Sequence, residues 1–383
     1  MKIAFLTPEY PHPKTGSSGG IGTSIKNLAK GLLLQNCIVH VLVYGQNEES
    51  VFEDNGVVIH QIKNIRFKGL SWYLTRKKIQ NYINNQLVEN KEIDIVEAPD
   101  WTGITSFIKT KCPMVIKLHG SDTYFCHLEQ RPVKWINKFH EKRALNNADG
   151  FISVSQYTAE VTNDVFGLNK KFTVIPNGID ATTFTSDGNT LEKNTILYFG
   201  SIIRKKGLLE LPLIFNEIIQ KNPNTKLILI GKDVPDISTG NTSTWAMMQE
   251  LFTDDALKNV TYLGSIPHQE IQYYIQQAAI CVFPSFAEAF PISWLEAMAM
   301  EKAIVASNIG WAKEVIDDAE NGFLVHPKNQ KEFAEKIVEL FENATLQMEF
   351  GKNARNKVLE KFSQESVASQ NLEYYKSIIG LKN

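Results

Sequence analysis

Two carboxylates at fixed spacing, a run of cations and one histidine carry the chemistry this sequence offers. In the stretch PSFAEAFPISWLEAMAM (284–300), Glu288 lies in a small-residue loop and Glu296 about a turn and a half into the helix that opens at Pro291. The backbone at Phe290, Pro291 and Ile292 forms that helix start, where N–H groups lack intrahelical partners and attract anions, phosphate above all. A loop carboxylate beside a phosphate-attracting helix end suits a ligand that also carries hydroxyls. The combination points to a phosphorylated, polyhydroxylated ligand such as a nucleotide sugar. Arg204-Lys205-Lys206 follows Gly200 and offers charge for a diphosphate, with a solvated loop as the plain alternative. His119, followed by Gly120, ends an apolar run; a lone histidine is usually structural, but at a strand's C-terminal edge beside a glycine its imidazole is placed to face a ligand.

These residues depend on strands for their placing. Short apolar runs at 2–6, 38–43, 57–62, 93–97, 114–118, 150–154 and 171–175 alternate with helical stretches, and the pattern restarts at 195–199, 226–230, 260–263, 280–283, 303–306 and 322–325. Strand–helix alternation in two successive halves predicts an α/β chain of two Rossmann-like domains with parallel sheets. Ligands bind at the C-terminal edges of such strands. That rule makes Asp100 and Trp101, after the run 93–97, candidates for an acceptor contact. Gly19 and Gly20 end a Gly-rich loop after the first strand, with Thr23 as a possible helix cap. The loop is neither a G-x-G-x-x-G fingerprint nor a P-loop, which disfavours a nicotinamide-dependent oxidoreductase. A helix is expected at 75–87 and another at 131–143, RPVKWINKFHEKR. The second has Lys134, Lys138 and Lys142 on one stripe and Trp135 with Phe139 on another. It reads as a solvated face over a packed stripe, or as a contact to anionic lipid.

The 383 residues suffice for two cores, and 40 Lys plus Arg against 42 Asp plus Glu gives no drive toward nucleic acid. Cys37, Cys112, Cys126 and Cys281 lack ligand-like spacing and read as buried thiols. No signal peptide and no spanning apolar stretch is evident, so the expectation is a cytoplasmic protein, peripheral to the inner face of the membrane if the basic helix touches lipid.

The spacing Glu288-Ala-Phe-Pro-Ile-Ser-Trp-Leu-Glu296 resembles the E-x7-E signature of the family 4 retaining glycosyltransferases, with Pro291 where Gly is common. Pro176-Asn-Gly-Ile-Asp180, Lys206-Gly207, Gly264-Ser-Ile-Pro267 and Asn321-Gly322 are similar to further motifs of that family, whereas Ser201 stands at its usual Arg and Trp311 at a usual Gly. The resemblance implies the GT-B architecture. An acceptor-side domain would span 1–180, a donor domain 181–362 with 181–194 as linker, and a last helix, 363–383, would cross back. It implies that Gly19 and Gly20 face the donor phosphates, that Ile266 lies in the loop on the base, and that His119 sits near the donor sugar, across a cleft from Glu288. Glu288 would accept from sugar hydroxyls and Glu296 from the ribose diol. Without a D-x-D to hold a metal, Arg204, Lys206 and the helix start would carry the leaving-group charge. The implied activity is hexose transfer from a nucleoside diphosphate sugar, UDP-glucose first, to a glycan or lipid-linked acceptor, with no other cofactor. A sugar-nucleotide epimerase, a phosphorylase and a non-catalytic nucleotide-sugar sensor are the competing readings.

Overall fold

In the computed structural model, which describes residues 1–16, 18–185 and 192–382, the chain divides into two compact units. Met1–Ile179 and the chain from Phe362 onward form unit 1; Asp180–Lys361 form unit 2. Part of the expected linker, 186–191, lies outside the described residues.

Unit 1 holds an eight-stranded sheet of β1 (Lys2–Thr7), β2 (Ile38–Gln46), β3 (Ser50–Asp54), β4 (Val57–Lys63), β5 (Ile95–Pro99), β6 (Met114–Leu118), β7 (Gly150–Ser153) and β8 (Thr173–Val174), in the order β3-β4-β2-β1-β5-β6-β7-β8. Its pairs are parallel except β3 with β4. The central strands are buried on both faces, which is why they read as unbroken apolar runs. β3 escapes that reading because SVFED alternates half-buried and exposed positions. Asn55 and Gly56, both at positive φ, turn it back onto β4 as a hairpin. The fifth strand begins at Ile95, two residues later than the apolar run suggests, and the next strand-ward shift is similar at β8.

The helices of unit 1 also move. Gly20–Leu34 starts ahead of Thr23, with Gly19 as its cap residue, and the Thr23 hydroxyl donates to the Gly19 carbonyl at 2.9 Å. The expected helix at 75–87 is Ser71–Asn81 followed by a π-helical turn, Tyr82–Val88. The basic helix spans Trp135–Asn147, so Arg131–Lys134 precede it. Its buried residues are His140, Glu141, Ala144 and Leu145, and Trp135 with Phe139 do not form a packed stripe. The helix Gln364–Lys382 lies on Gly20–Leu34, so close that a Cβ on Gly31 would stand 2.5 Å from the Gln364 carbonyl. Tyr375 donates at 2.6 Å to Glu97, which is buried on β5 beside the buried Lys117 of β6.

Unit 2 carries β9 (Thr195–Phe199), β10 (Lys226–Ile230), β11 (Val260–Tyr262), β12 (Ile280–Phe283), β13 (Ala303–Ser307) and β14 (Phe323–Val325), all parallel, in the order β11-β10-β9-β12-β13-β14. Trp294 and Trp311 are fully buried, so the indole at the position where the resemblance expects Gly is a core side chain. No described helix is long and apolar enough to cross a membrane.

Candidate functional site

Every strand end that matters in unit 2 lies on the C-terminal edge of its sheet. After β9 the chain passes Gly200 and makes a single turn, Arg204–Lys206, closed by Gly207 at φ 72°. A Cβ on Gly207 would lie 1.8 Å from the Pro284 carbonyl, so only glycine lets this turn press on the end of β12. The amide N–H of Phe286 donates to the Lys205 carbonyl at 2.8 Å and locks the two loops together.

That lock places Lys206 against Glu288. The ammonium and the carboxylate are hydrogen-bonded, and the Ser285 hydroxyl donates to the same Glu288 oxygen at 3.2 Å. Glu288 is 8% exposed, so most of its hydration has been replaced by these groups. Arg204 lies on the same turn but points elsewhere. Its Nε and Nη2 donate at 2.8 Å to the two oxygens of Asp236, a fork-to-fork pair. The Thr239 N–H and hydroxyl donate to that carboxylate as well, and these bonds hold Asp236 well below the usual carboxylate range, Arg204 first. Two of the guanidinium donors expected to meet a diphosphate are therefore engaged by Asp236, which the sequence reading missed.

The helix after Glu288 begins at Ile292, with Pro291 as its extended cap residue and no side-chain cap. Proline has no N–H, so it gives an anion no donor; those of the stretch belong to Phe290 and to Ile292 onward. Glu296 is 5% exposed, and its Oε1 lies 2.8 Å from His268 Nε2. His268 opens the helix His268–Gln277 directly after the 264–267 loop, is half in solvent, and meets the edge of Phe184 at 5.7 Å. It too was not singled out from sequence. Gly264, at φ 68°, accepts from the Gly231 N–H at 2.8 Å, which holds the ends of β10 and β11 together and sets the half-buried Ile266 beyond them.

In unit 1, His119 and Asp100 end adjacent strands. The Asp100 carboxylate accepts the His119 N–H at 2.9 Å and is 1% exposed. Asp100 therefore shapes the His119 turn and does not present an oxygen to an acceptor, a correction to the expectation. Burial pushes its carboxyl up to about 7. Desolvation, then the Lys117 cation, brings the half-buried His119 imidazole down to about 3, so it is neutral. Trp101 starts the turn Trp101–Gly103 and is half-buried. At the first helix, Glu9 accepts the Gly22 N–H at 3.0 Å, and a Cβ on Gly19 would lie 3.3 Å from the same carboxylate. A side chain of this chain thus already serves the helix start expected to face donor phosphates. Gly20 has open space around its Cα.

Comparison with known proteins follows the same division. The C-terminal part, residues 181–357, matches the model of glycosyl transferases group 1, and residues 18–183 match that of glycosyltransferase family 4. An uncharacterized glycosyltransferase of Methanocaldococcus jannaschii, MJ1178, is 26% identical over 371 residues, covering 95% of each chain. Among solved structures, sucrose-phosphate synthase from Thermosynechococcus elongatus superposes with a TM-score of 0.80 at 20% identity over the whole of both chains. The Anabaena protein Alr3699/HepE, solved in complex with UDP-glucose, gives 0.74 at 21% identity over 98% of this chain and all of its own.

Proposed function

The chain belongs to the family 4 glycosyltransferases of GT-B fold, and from that premise we propose that it transfers a hexose from a nucleoside diphosphate sugar, UDP-glucose first, to a hydroxyl of a carbohydrate or lipid-linked acceptor. One observation carries the donor assignment. The Lys206 turn and the Glu288 loop are fixed to each other at the sheet's C-terminal edge, with Glu296 on the helix that follows. The UDP-glucose held by the Anabaena structure supports the choice of donor to try first.

Lys206 carries the charge that develops on the departing diphosphate, aided by N–H groups at the start of the Ile292–Ala299 helix. Arg204, tied to Asp236, adds field more than direct grip. Glu288 accepts from hydroxyls of the hexose and Glu296 from the ribose diol, where ligand hydroxyls join or displace the His268 contact. His119, neutral, is the residue that unit 1 is proposed to contribute to the transfer step. The bond from the anomeric carbon to the β-phosphate oxygen breaks with its electron pair leaving on UDP. The acceptor oxygen bonds to the same face of that carbon, and its proton passes to the departing phosphate oxygen. Transfer on one face retains configuration, and Lys206 with the helix dipole stands in for a divalent cation.

The test is UDP release from UDP-glucose, with and without a panel of carbohydrate and lipid-linked acceptors, in the presence of EDTA. Acceptor-dependent release and a product of unchanged anomeric configuration support the reading. Donor binding without acceptor-dependent release leaves a nucleotide-sugar-binding protein and overturns it; strict Mg²⁺ dependence overturns the metal-free step.

A further inference from the structure

We propose that unit 1 docks on the surface of an anionic lipid bilayer through a face built from the stretch Phe67–Asn81, the turn around Phe107 and the helix Trp135–Asn147. Exposed apolar side chains elsewhere in the unit, such as Leu34 and Val51, lie outside this aromatic cluster, but here several large ones gather: Trp135 is 76% exposed, Phe67 57%, Leu70 48%, Phe139 45% and Trp72 43%. They do not stand singly. Trp72 packs on Tyr73 and on Phe107 with centroids 5.7 Å apart, Phe107 meets Phe139 at 6.3 Å, and Trp135 lies one turn ahead of Phe139 on the same helix. A contiguous exposed apolar surface of this kind marks a contact with a partner or a membrane.

The surrounding charge selects between them. Residues 63–88, 101–113 and 131–148 contain thirteen Lys and Arg and one acidic residue, in a chain whose net charge is -2; Lys78, Lys111 and Arg131 are ion-paired with Glu49, Glu89 and Asp122 outside these stretches, which leaves ten for the face. The acidic residue, Glu141, is 1% exposed and accepts from the N–H groups of Asp122 and Thr123. Several cations stack on the same rings: Arg76 over Trp72 at 5.5 Å, Lys77 over Tyr73 at 5.5 Å and Arg143 over Phe107 at 4.1 Å. Lys134, Lys138 and Lys142 are exposed at one-turn intervals beside Trp135. Next to Phe107 lies a depression of about 420 Å³ lined by Lys109, Thr110, Arg143 and Asp149, and the buried Arg143 Nε has no hydrogen-bond partner among the described residues. A lipid phosphate would supply that acceptor. Aromatic rings at headgroup depth with Lys and Arg reaching the phosphates make an interfacial surface. Leu70, Ile136 and the cation excess favour a bilayer over a glycan chain, which the aromatic faces alone would also suit. With no described helix able to span, the contact is peripheral.

This inference stands apart from the transferase chemistry and is tested by vesicle flotation of the full chain. Phosphatidylcholine vesicles containing phosphatidylglycerol should carry the protein at low salt, and pure phosphatidylcholine should not. Binding should fall at least about tenfold near 1 M salt, where the Debye length is about 3 Å. Trp135→Glu and, separately, Lys138→Glu with Lys142→Glu should each reduce binding at least about tenfold, with melting temperature and UDP affinity unchanged. Absence of flotation at low salt, equal flotation on the neutral vesicles, wild-type flotation by both variants, or retention on a neutral polysaccharide in place of vesicles would each overturn the proposal.

Discussion

Replacing Lys206 by alanine should raise the dissociation constant for UDP at least about tenfold. The ammonium is about four-fifths buried, at 21% side-chain exposure, and its bonded partner Glu288 is at 10%. A diphosphate entering there exchanges water for a charge-assisted hydrogen bond, worth roughly 1.5–3 kcal/mol, or about 10- to 150-fold in affinity. The variant also leaves the Glu288 carboxylate without its cation. That charge then repels the diphosphate and lowers stability, since breaking a fully buried pair costs about 3–5 kcal/mol and this one is partly solvated. The double variant Lys206→Ala/Glu288→Gln separates the two effects. It should recover most of the melting temperature lost by Lys206→Ala while UDP affinity stays weak. Calorimetry and thermal melting on the same preparations give both quantities. UDP binding within twofold of wild type in Lys206→Ala would refute the clamp, and full recovery of affinity in the double variant would reassign the loss to repulsion by Glu288.

The two glutamates should separate: Glu288→Gln depresses transfer while UDP affinity survives, and Glu296→Ala weakens UDP and UDP-sugar alike; equal loss of UDP affinity in both would reject the division. His119→Ala should slow acceptor-dependent transfer at least about tenfold, some 1.4 kcal/mol, with UDP affinity within a few-fold, and normal turnover in a destabilised variant would return His119 to a packing role. Acid should destabilise unit 1 steadily from about pH 6 down to about pH 4. Burial lowers His60 and His140 to about 4 and His119 to about 3, so from pH 6.5 downward the unfolded chain takes up their protons first and stability falls. Asp100 and Glu141, raised to about 7, bind protons in the folded state and oppose that loss, which leaves a net slope of about one proton, roughly 1.4 kcal/mol per pH unit, until the folded histidines themselves protonate near pH 4 and below. A melting temperature that does not fall between about pH 6 and pH 4 contradicts this balance.

What sequence could show was the strand framework, and the physics of burial explains why. Strands such as 195–199 and 280–283 are covered on both faces and so read as unbroken apolar runs, and they placed Glu288 and the Lys206 turn at strand ends. Long-range polar pairing left no such trace. Asp236 meets Arg204 from 32 residues away and His268 meets Glu296 from 28, distances at which no local period operates. The Trp135–Phe139 stripe misled because hydrophobic spacing alone cannot tell a packed face from an exposed one. The face buried instead carries His140, bonded to the Ser106 hydroxyl, and Glu141, which caps the Asp122 turn. Asp100 was misjudged for a related reason: a carboxylate at a strand end can be turned inward by a neighbouring N–H.

Thermal melting of the full chain against UDP-, GDP- and ADP-hexoses in EDTA tests the central claim, a metal-free nucleotide-sugar site, most directly. A ligand bound only by the folded state at a hundredfold over its dissociation constant stabilises by about 2.7 kcal/mol. The account predicts a clear rise in melting temperature with UDP-glucose, little with the GDP and ADP sugars, and loss of the rise in Lys206→Ala. No rise with any nucleotide sugar, or a rise that EDTA abolishes, would contradict it.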